Sequence, residues 1–276
     1  MSADALQVFR DNQVRRADIL GQERPGQIML DSDLHDFEPV LDPHVRAGFV
    51  AHTERYIDPG IFVDELHAKL KEYGVEIFEQ TELVGIENRK ATLRNAHGET
   101  ELGFDKAVVA VGAWTSPKIK GLESTRTAWV TSGTGYSYHV RPDRLPGYLL
   151  ASIDRKTIGV PMSGELRVVG LMDFSTEIEE FSPDRIHHLA SQASAFIQGI
   201  ADKPRFREWT GPRPMTPTGL PIISPLKSAP NVIVATGHNM HGLSLGPVTA
   251  EVVVSMVEDK PGRVAGAEID MEPFSL

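Results

Sequence analysis

The sequence predicts a mixed α/β (α+β) fold, with an incomplete sheet and helices formed by the two ends of the chain and a mainly antiparallel sheet between them. Three observations carry this expectation. Residues 106–111 and 231–236 are continuous apolar runs rich in β-branched side chains, the pattern of strands buried on both faces. Residues 58–74 form a helix with its own start and stop signals. The middle of the chain carries short apolar runs around 135–140, 148–153 and 166–172, which read as strands.

The elements follow in order. Residues 4–24 are polar with scattered apolar positions and read as one weak, exposed helix. Residues 31–39 read as a short helical turn halted by Pro39. Asp58 can cap the next helix, Pro59 suits its first turn, and Phe62, Leu66, Leu70 and Tyr73 recur at helical spacing before Gly74 closes it. Strands are expected at 75–78, 83–86, 91–94 and 99–102, the last two joined by a turn at Ala96-His97-Gly98. Beyond the middle strands, Ser182 can cap a helix that carries Ile186, Leu189, Ala190 and Ala193. The strand at 231–236 runs into a Gly-rich loop at 237–242, with a helix expected near Pro247 and a loose tail over 258–276. The strands at the two ends are expected to share one sheet.

Composition narrows the function classes. A net charge of -10 argues against a nucleic-acid partner, whose phosphates need Lys and Arg, and against an anionic membrane surface. The absence of cysteine excludes disulfides, thiolate metal sites, cysteine nucleophiles and a thiol-linked flavin. Met1-Ser2-Ala3-Asp4-Ala5 lacks the pattern of a secretory signal. The longest apolar runs are far too short to span a bilayer, so a cytoplasmic protein without a transmembrane segment is expected.

Both buried runs end in glycine-bearing turns, Gly112-Ala113-Trp114 and Gly237-His238. Ligands of open α/β sheets collect at the carboxyl ends of such strands, and the second turn leads to a helix N-terminus, which favours negative charge. The same glycines equally serve tight turns alone. His238 and His241 lie three apart, with no third ligand nearby in sequence, so no metal site is expected. His187 and His188 read as solvated helix residues.

Longer motifs are more specific. Residues 209–223, beginning Trp209-Thr210-Gly211-Pro212-Arg213-Pro214-Met215-Thr216, resemble the W-x-G-x-R-P-x-T-x-D-G-x-P signature of the D-amino-acid oxidase-like flavoproteins. That superfamily includes glycine oxidase, sarcosine oxidase and D-amino-acid dehydrogenase. Residues 231–249 are similar to its closing N-hhhATGH motif, residues 104–114 to its VVVAxGAW strand, and Tyr56-Ile57-Asp58-Pro59 to its helix start. Gly135-Tyr136-Ser137 and Gly170-Leu171-Met172-Asp173 fit the D-amino-acid dehydrogenase branch best. All lie in family order, across most of residues 30–260.

The resemblance implies an FAD-dependent oxidoreductase that oxidises the C–N bond of a D-amino acid or secondary amine to an imine, which hydrolyses to a keto acid. The flavin carries the electrons, so the protein supplies orientation and charge. Arg213 matches the arginine that pairs with the substrate carboxylate, its planar fork suiting two parallel hydrogen bonds; read alone, it is an exposed arginine between prolines. Tyr136 is a second substrate-side candidate. Gly112, Ala113, Trp114, Gly237, His238, Met240, Gly242 and Leu243 match positions beside the cofactor, although Trp114 equally reads as a core residue and His238 as a turn residue. The implied organisation is a helical and extended segment at 1–60, an FAD-binding portion at 61–125 and 205–260, a substrate domain with an antiparallel sheet at 126–204, and a tail at 261–276.

Departures from the family matter as much. The family opens with a strand, a G-x-G-x-x-G turn and a helix that hold the FAD phosphates, and no such unit stands in these 276 residues; Gly133-x-Gly135 lacks the third glycine. The chain is therefore expected to begin after that unit, leaving the FAD site incomplete. In the glycine-oxidase branch a tyrosine aligns near Ile158 and a second arginine near Met240, and both are missing, which tilts the substrate away from glycine or sarcosine. Pro212 stiffens the backbone at Arg213 and removes a donor. Three readings stand side by side: an enzyme polypeptide, a truncated non-catalytic remnant, and a subunit that needs a partner chain to bind FAD. A homodimer or heteromeric partner is expected to cover the exposed sheet.

Overall fold

The computed structural model describes residues 3–87, 89–115, 119, 121–122, 130–178 and 180–276. The domain boundary expected at 125–126 lies outside these residues. In chain order the elements are α1 (Ala3–Leu20), β1 (Met29–Leu30), α2 (Asp31–Phe37), β2 (Ala47–Gly48) and α3 (Pro59–Glu72). Then come β3 (Glu82–Glu87), β4 (Lys90–Asn95), β5 (Gly98–Gly103), β6 (Ala107–Val109), β7 (Thr131–Val140), β8 (Leu150–Ser152), β9 (Thr157–Met162) and β10 (Glu165–Ser175). Helix α4 (Pro183–Ser194), β11 (Arg205–Met215), β12 (Ile222–Leu226), β13 (Ala229–Thr236), α5 (Gly242–Val257), β14 (Arg263–Val264) and β15 (Ala267–Glu268) complete the chain. The fold is a mix of helices and mostly antiparallel sheets, as the sequence predicts.

Two compact units share the chain. The first comprises Met1–Val75, Gly135–Leu171 and Phe181–Thr210. Its core joins Tyr136, Tyr138 and Val140 of β7 and Leu166 and Val168 of β10 to Ile186, Leu189 and Ala193 of α4. The spacing of those α4 residues puts them on one helix face, which explains why the helix forms where its apolar positions predict. Strands β8, β9 and β10 pair antiparallel in a sheet ordered β11-β7-β10-β9-β8. Helix α3 starts and stops at its local signals: the Asp58 carboxylate accepts from the N–H groups of Gly60 and Ile61 at 2.9 and 3.3 Å, and Gly74 takes φ +78. Its apolar positions, Phe62, Leu66, Leu70 and Tyr73, nevertheless stay exposed.

The second unit comprises Glu76–Thr134, Met172–Glu180 and Gly211–Leu276. Its central sheet is ordered β12-β13-β6, with β13 antiparallel to β12 and parallel to β6. The two ends of the chain therefore do share one sheet. A β3-β4-β5 meander accompanies it, and Val109, Val232, Val234, Ile222, Leu226, Ile86 and Leu122 form the core.

Several expectations are corrected. Residues 75–78 form no strand. The run at 106–111 is a strand only over Ala107–Val109, because the backbone of Val111 leaves the extended region and Gly112 turns left-handed at φ +58. It is an edge strand rather than one buried on both faces, and Val108 is 44% exposed. Ser182 precedes α4 but makes no side-chain cap bond. Helix α5 begins five residues before Pro247, since the Leu245 N–H already closes onto His241 O at 2.8 Å. Residues 205–215 and 157–162, not read as strands, form β11 and β9. The closing residues are tied down: β14 and β15 form a hairpin, Ile269 N–H bonds Gly262 O at 3.0 Å, and Leu276 packs on the core of this unit. No helix among the described residues is long and apolar enough to cross a membrane.

Candidate functional site

The site is assembled within the second unit, where two parallel strands end side by side. The register Val232↔Ala107, Ile233↔Val108 and Val234↔Val109 brings the turn after β6 next to the turn after β13. Buried hydroxyls lock the pair: Thr236 Oγ1 donates to Gly112 O at 3.0 Å, and Thr115 Oγ1 donates to Thr236 Oγ1 at 3.1 Å. The turns border an open cleft of about 260 Å³, lined by Ala110, Gly112 and Thr236 at the strand ends. Pro214, His238, Asn239 and the Gly242, Gly246 and Thr249 face of α5 complete the lining. A Cβ built on Gly112 or Gly246 would meet nothing within 4 Å, so bare backbone faces the opening. The first turn of α5 adds N–H groups that have no partner within the helix.

Gly237 sets the shape of the second turn. Its φ is +75, and a Cβ there would stand 2.5 Å from Thr216 Cγ2; both facts demand glycine. His238 Nε2 lies 2.9 Å from Thr249 Oγ1, which ties the turn to the second turn of α5. Burial pushes the His238 imidazole below the ordinary histidine value, so the ring stays neutral near pH 7. The unfolded chain then takes up this proton more readily than the folded one. The stability the neutral ring contributes is complete above about pH 6.5, the unperturbed value, and is lost as pH falls through the lower folded-state value. In H238Q the decline in melting temperature between about pH 7.5 and pH 5 is expected to be shallower than in the wild type; equal slopes would show that His238 carries no such linkage.

Arg213 lies on β11, an edge strand, where flanking Pro212 and Pro214 cost no ladder hydrogen bond. Its guanidinium is half-buried, and burial pulls it below the ordinary arginine value, though it remains a cation. Among the described residues no carboxylate pairs with it. Its Nη1 instead lies 3.5 Å from Met172 Sδ, a weak acceptor that leaves the charge uncompensated. Gly133 permits this packing, since a Cβ there would stand 2.6 Å from Met215 Cγ and 2.7 Å from Met172 Sδ. Burial of such a charge is costly until an anion pairs with it.

The structure lines the cleft with Gly112, His238 and Gly242, and Gly237 sits in the chain between the lining residues Thr236 and His238. Ala113 and Leu243 adjoin these lining residues in the chain, and Leu243 is exposed. Trp114 is 58% exposed and Met240 64% exposed, so Trp114 is no core residue. Tyr136 belongs to the first unit, where its side chain is 2% exposed within the core and Arg185 stands 5.8 Å over its ring. Asn239, Thr236 and Thr249 also line the cleft, and Thr216 bonds to Asn239; none of the four was singled out from the sequence. For Asn239 a signal existed: an asparagine directly after Gly-His in a loop is a residue type that tolerates left-handed backbone, and its φ is +54. Thr216 and Thr236 stand at fixed positions of the motifs at 209–223 and 231–249, whereas Thr249 carries no such signal. Among the described residues no cluster of His, Asp or Glu is arranged to hold a metal ion.

Comparison with known proteins bears on the family and the fold. A family model described as FAD dependent oxidoreductase (DAO) matches residues 3–256. The chain is 22% identical over 237 residues to a D-amino acid dehydrogenase of Helicobacter pylori, covering 84% of this chain and 57% of that protein. It is 25% identical over 198 residues to a glycine oxidase of Pseudomonas aeruginosa, covering 71% of this chain and 54% of the relative. The chain thus spans little more than half the length of these relatives. Among solved structures, glycine oxidase from Geobacillus kaustophilus superimposes with a TM-score of 0.82 at 22% identity, over 100% of this chain and 72% of that one. L-amino acid deaminase from Proteus vulgaris follows at 0.73 and 17% identity, over 99% and 70%.

Proposed function

The chain belongs to the FAD-dependent oxidoreductase (DAO) family, and from that premise we propose that it serves oxidation of the C–N bond of an amino acid, with a D-amino acid favoured over a secondary amine. The observation that carries the reading is Arg213, a half-buried guanidinium whose recorded side-chain contact is a thioether. Such a group suits a substrate carboxylate, to which it can present two parallel N–H donors.

The residues present also fit the ring of a flavin. The cleft offers unobstructed backbone at Gly112 and Gly246 for a flat group to lie against. The first turn of α5 would meet negative charge there with free N–H groups and the positive end of the helix dipole. FAD, when bound, supplies the acceptor for the hydride on the amine-bearing carbon. Arg213 would hold the carboxylate and so fix which face of that carbon is presented. Loss of the hydride and of one amine proton leaves a C=N bond, and water then releases ammonia and the keto acid. His238, kept neutral by burial, adds no positive charge at the turn.

The test starts from visible absorbance of the purified chain, followed by titration with FAD and a panel of D-amino acids with an artificial electron acceptor. Flavin uptake with dye reduction by a D-amino acid is the expected result. Flavin uptake with no reduction by any amino acid or amine would overturn the catalytic reading. A colourless chain that takes up no FAD favours instead the reading in which FAD binding needs a partner chain. That reading includes a second copy or partner on the exposed β6 edge, and a monomeric, cooperatively folding chain in light scattering and calorimetry would remove it.

A further inference from the structure

Asn239 knots the end of the arginine strand to the turn that follows β13. Its backbone N–H donates to Pro214 O at 3.0 Å, and its Oδ1 accepts from the Thr216 N–H at 3.0 Å. Its Nδ2 donates to Gly237 O at 2.8 Å, to Gly219 O at 3.1 Å and to Thr216 Oγ1 at 3.3 Å, so two protons serve three acceptors. Pro214 directly follows Arg213 and Gly237 directly precedes His238. One residue therefore holds both the strand that presents the cation and the backbone that shapes the cleft. Asn tolerates its left-handed φ of +54, but tolerance of a turn requires none of the bonds to Thr216 and Gly219.

We propose that Asn239 is a positioning residue that couples Arg213 to the turn at 237–242, so that a carboxylate held at one and a flat ligand held against the other support each other. The inference rests on the reading of Arg213 as the carboxylate partner. Although Asn239 borders the cleft, the coupling runs through its bonds to Pro214, Thr216 and Gly237. Displacement of the arginine strand by a bound carboxylate would pull on the turn through these bonds, and the same bonds act in reverse. Binding coupling is reciprocal, so any factor gained by one ligand is gained by the other.

The full chain and its N239G and N239D variants are titrated with benzoate by calorimetry, and amide exchange over residues 237–242 is followed with and without benzoate. Glycine accepts the left-handed backbone, so N239G removes the side-chain bonds with little strain. Aspartate keeps the acceptor for Thr216 N–H and loses the Nδ2 donations. In the wild type, benzoate is expected to slow exchange across the turn. In N239G benzoate binds about fivefold or more weakly and the slowing disappears, with N239D between the two. A purely structural asparagine would lower the melting temperature of N239G yet leave benzoate affinity and benzoate-dependent protection as in the wild type, and that result overturns the proposal. If N239G does not fold, an N239D chain indistinguishable from the wild type in both readouts overturns it equally. R213M separates the premise: benzoate binding as tight in R213M as in the wild type, or none in the wild type, removes the carboxylate reading itself.

Discussion

Replacing Arg213 with methionine is expected to abolish carboxylate binding while raising the melting temperature. Each hydrogen bond between a guanidinium and a carboxylate is worth about 1.5–3 kcal/mol. Loss of a two-pronged pair therefore weakens benzoate, or lowers kcat/KM for a D-amino acid, by about a hundredfold or more. Stability moves the other way because the wild type keeps a half-buried cation without a carboxylate partner beside Met172 and Met215. An apolar side chain of similar length removes that desolvation and packs against the same thioethers. Lysine should sit between the two, since it retains the charge without the planar fork. Calorimetric titration and thermal unfolding of the same samples check both arms. A drop in binding together with a drop in melting temperature would indicate that Arg213 supports the fold rather than a ligand.

The second large effect is expected at Gly237. Alanine there must adopt φ +75 and place its Cβ against Thr216 Cγ2, 2.5 Å away in the present backbone. The left-handed conformation costs about 1–2 kcal/mol for a residue with a side chain, and overpacking adds about 1–3 kcal/mol. The variant should therefore melt several degrees lower and lose the cleft geometry together with any flavin uptake. Gly246→Ala provides the contrast. A Cβ at Gly246 meets nothing within 4 Å and lies inside α5, so helix propensity favours it by up to about 1 kcal/mol. It nevertheless projects a methyl group from the cleft wall. G246A is expected to keep or gain stability while losing affinity for a flat ligand; unchanged flavin affinity in a stable G246A chain would place the ring elsewhere.

Much of the fold was legible because its determinants are local. Asp58, Pro59 and Gly74 mark α3 within a residue or two of its observed ends, and the 3–4 spacing of Ile186, Leu189 and Ala193 marks both α4 and its buried face. The hairpin of β4 and β5 follows from alternation around Gly98. Errors arose where a local pattern had two structural solutions. Apolar runs at 75–78 and 106–111 carry strand propensity, but a run becomes a strand only where a partner supplies hydrogen bonds; β6 finds one partner over three residues. Pro247 marked a helix start by preference alone, while the turn at Gly237 and Asn239 had already opened α5.

The candidate site divides along the same line. Sequence by itself determined the family, the arginine at 213, and the two glycine turns at 112 and 237, because motif and spacing are properties of the chain. It also determined that no cysteine chemistry is available. Tertiary structure alone decided that Arg213 stands half-buried without a counter-ion, that Thr236 and Thr115 lock the two strand ends together, and that Asn239 ties Pro214 to Gly237. These depend on residues as many as 124 positions apart meeting at hydrogen-bond distance. No periodicity encodes such meetings, because a hydroxyl or amide reads the same in sequence whether its partner is water or a distant backbone carbonyl.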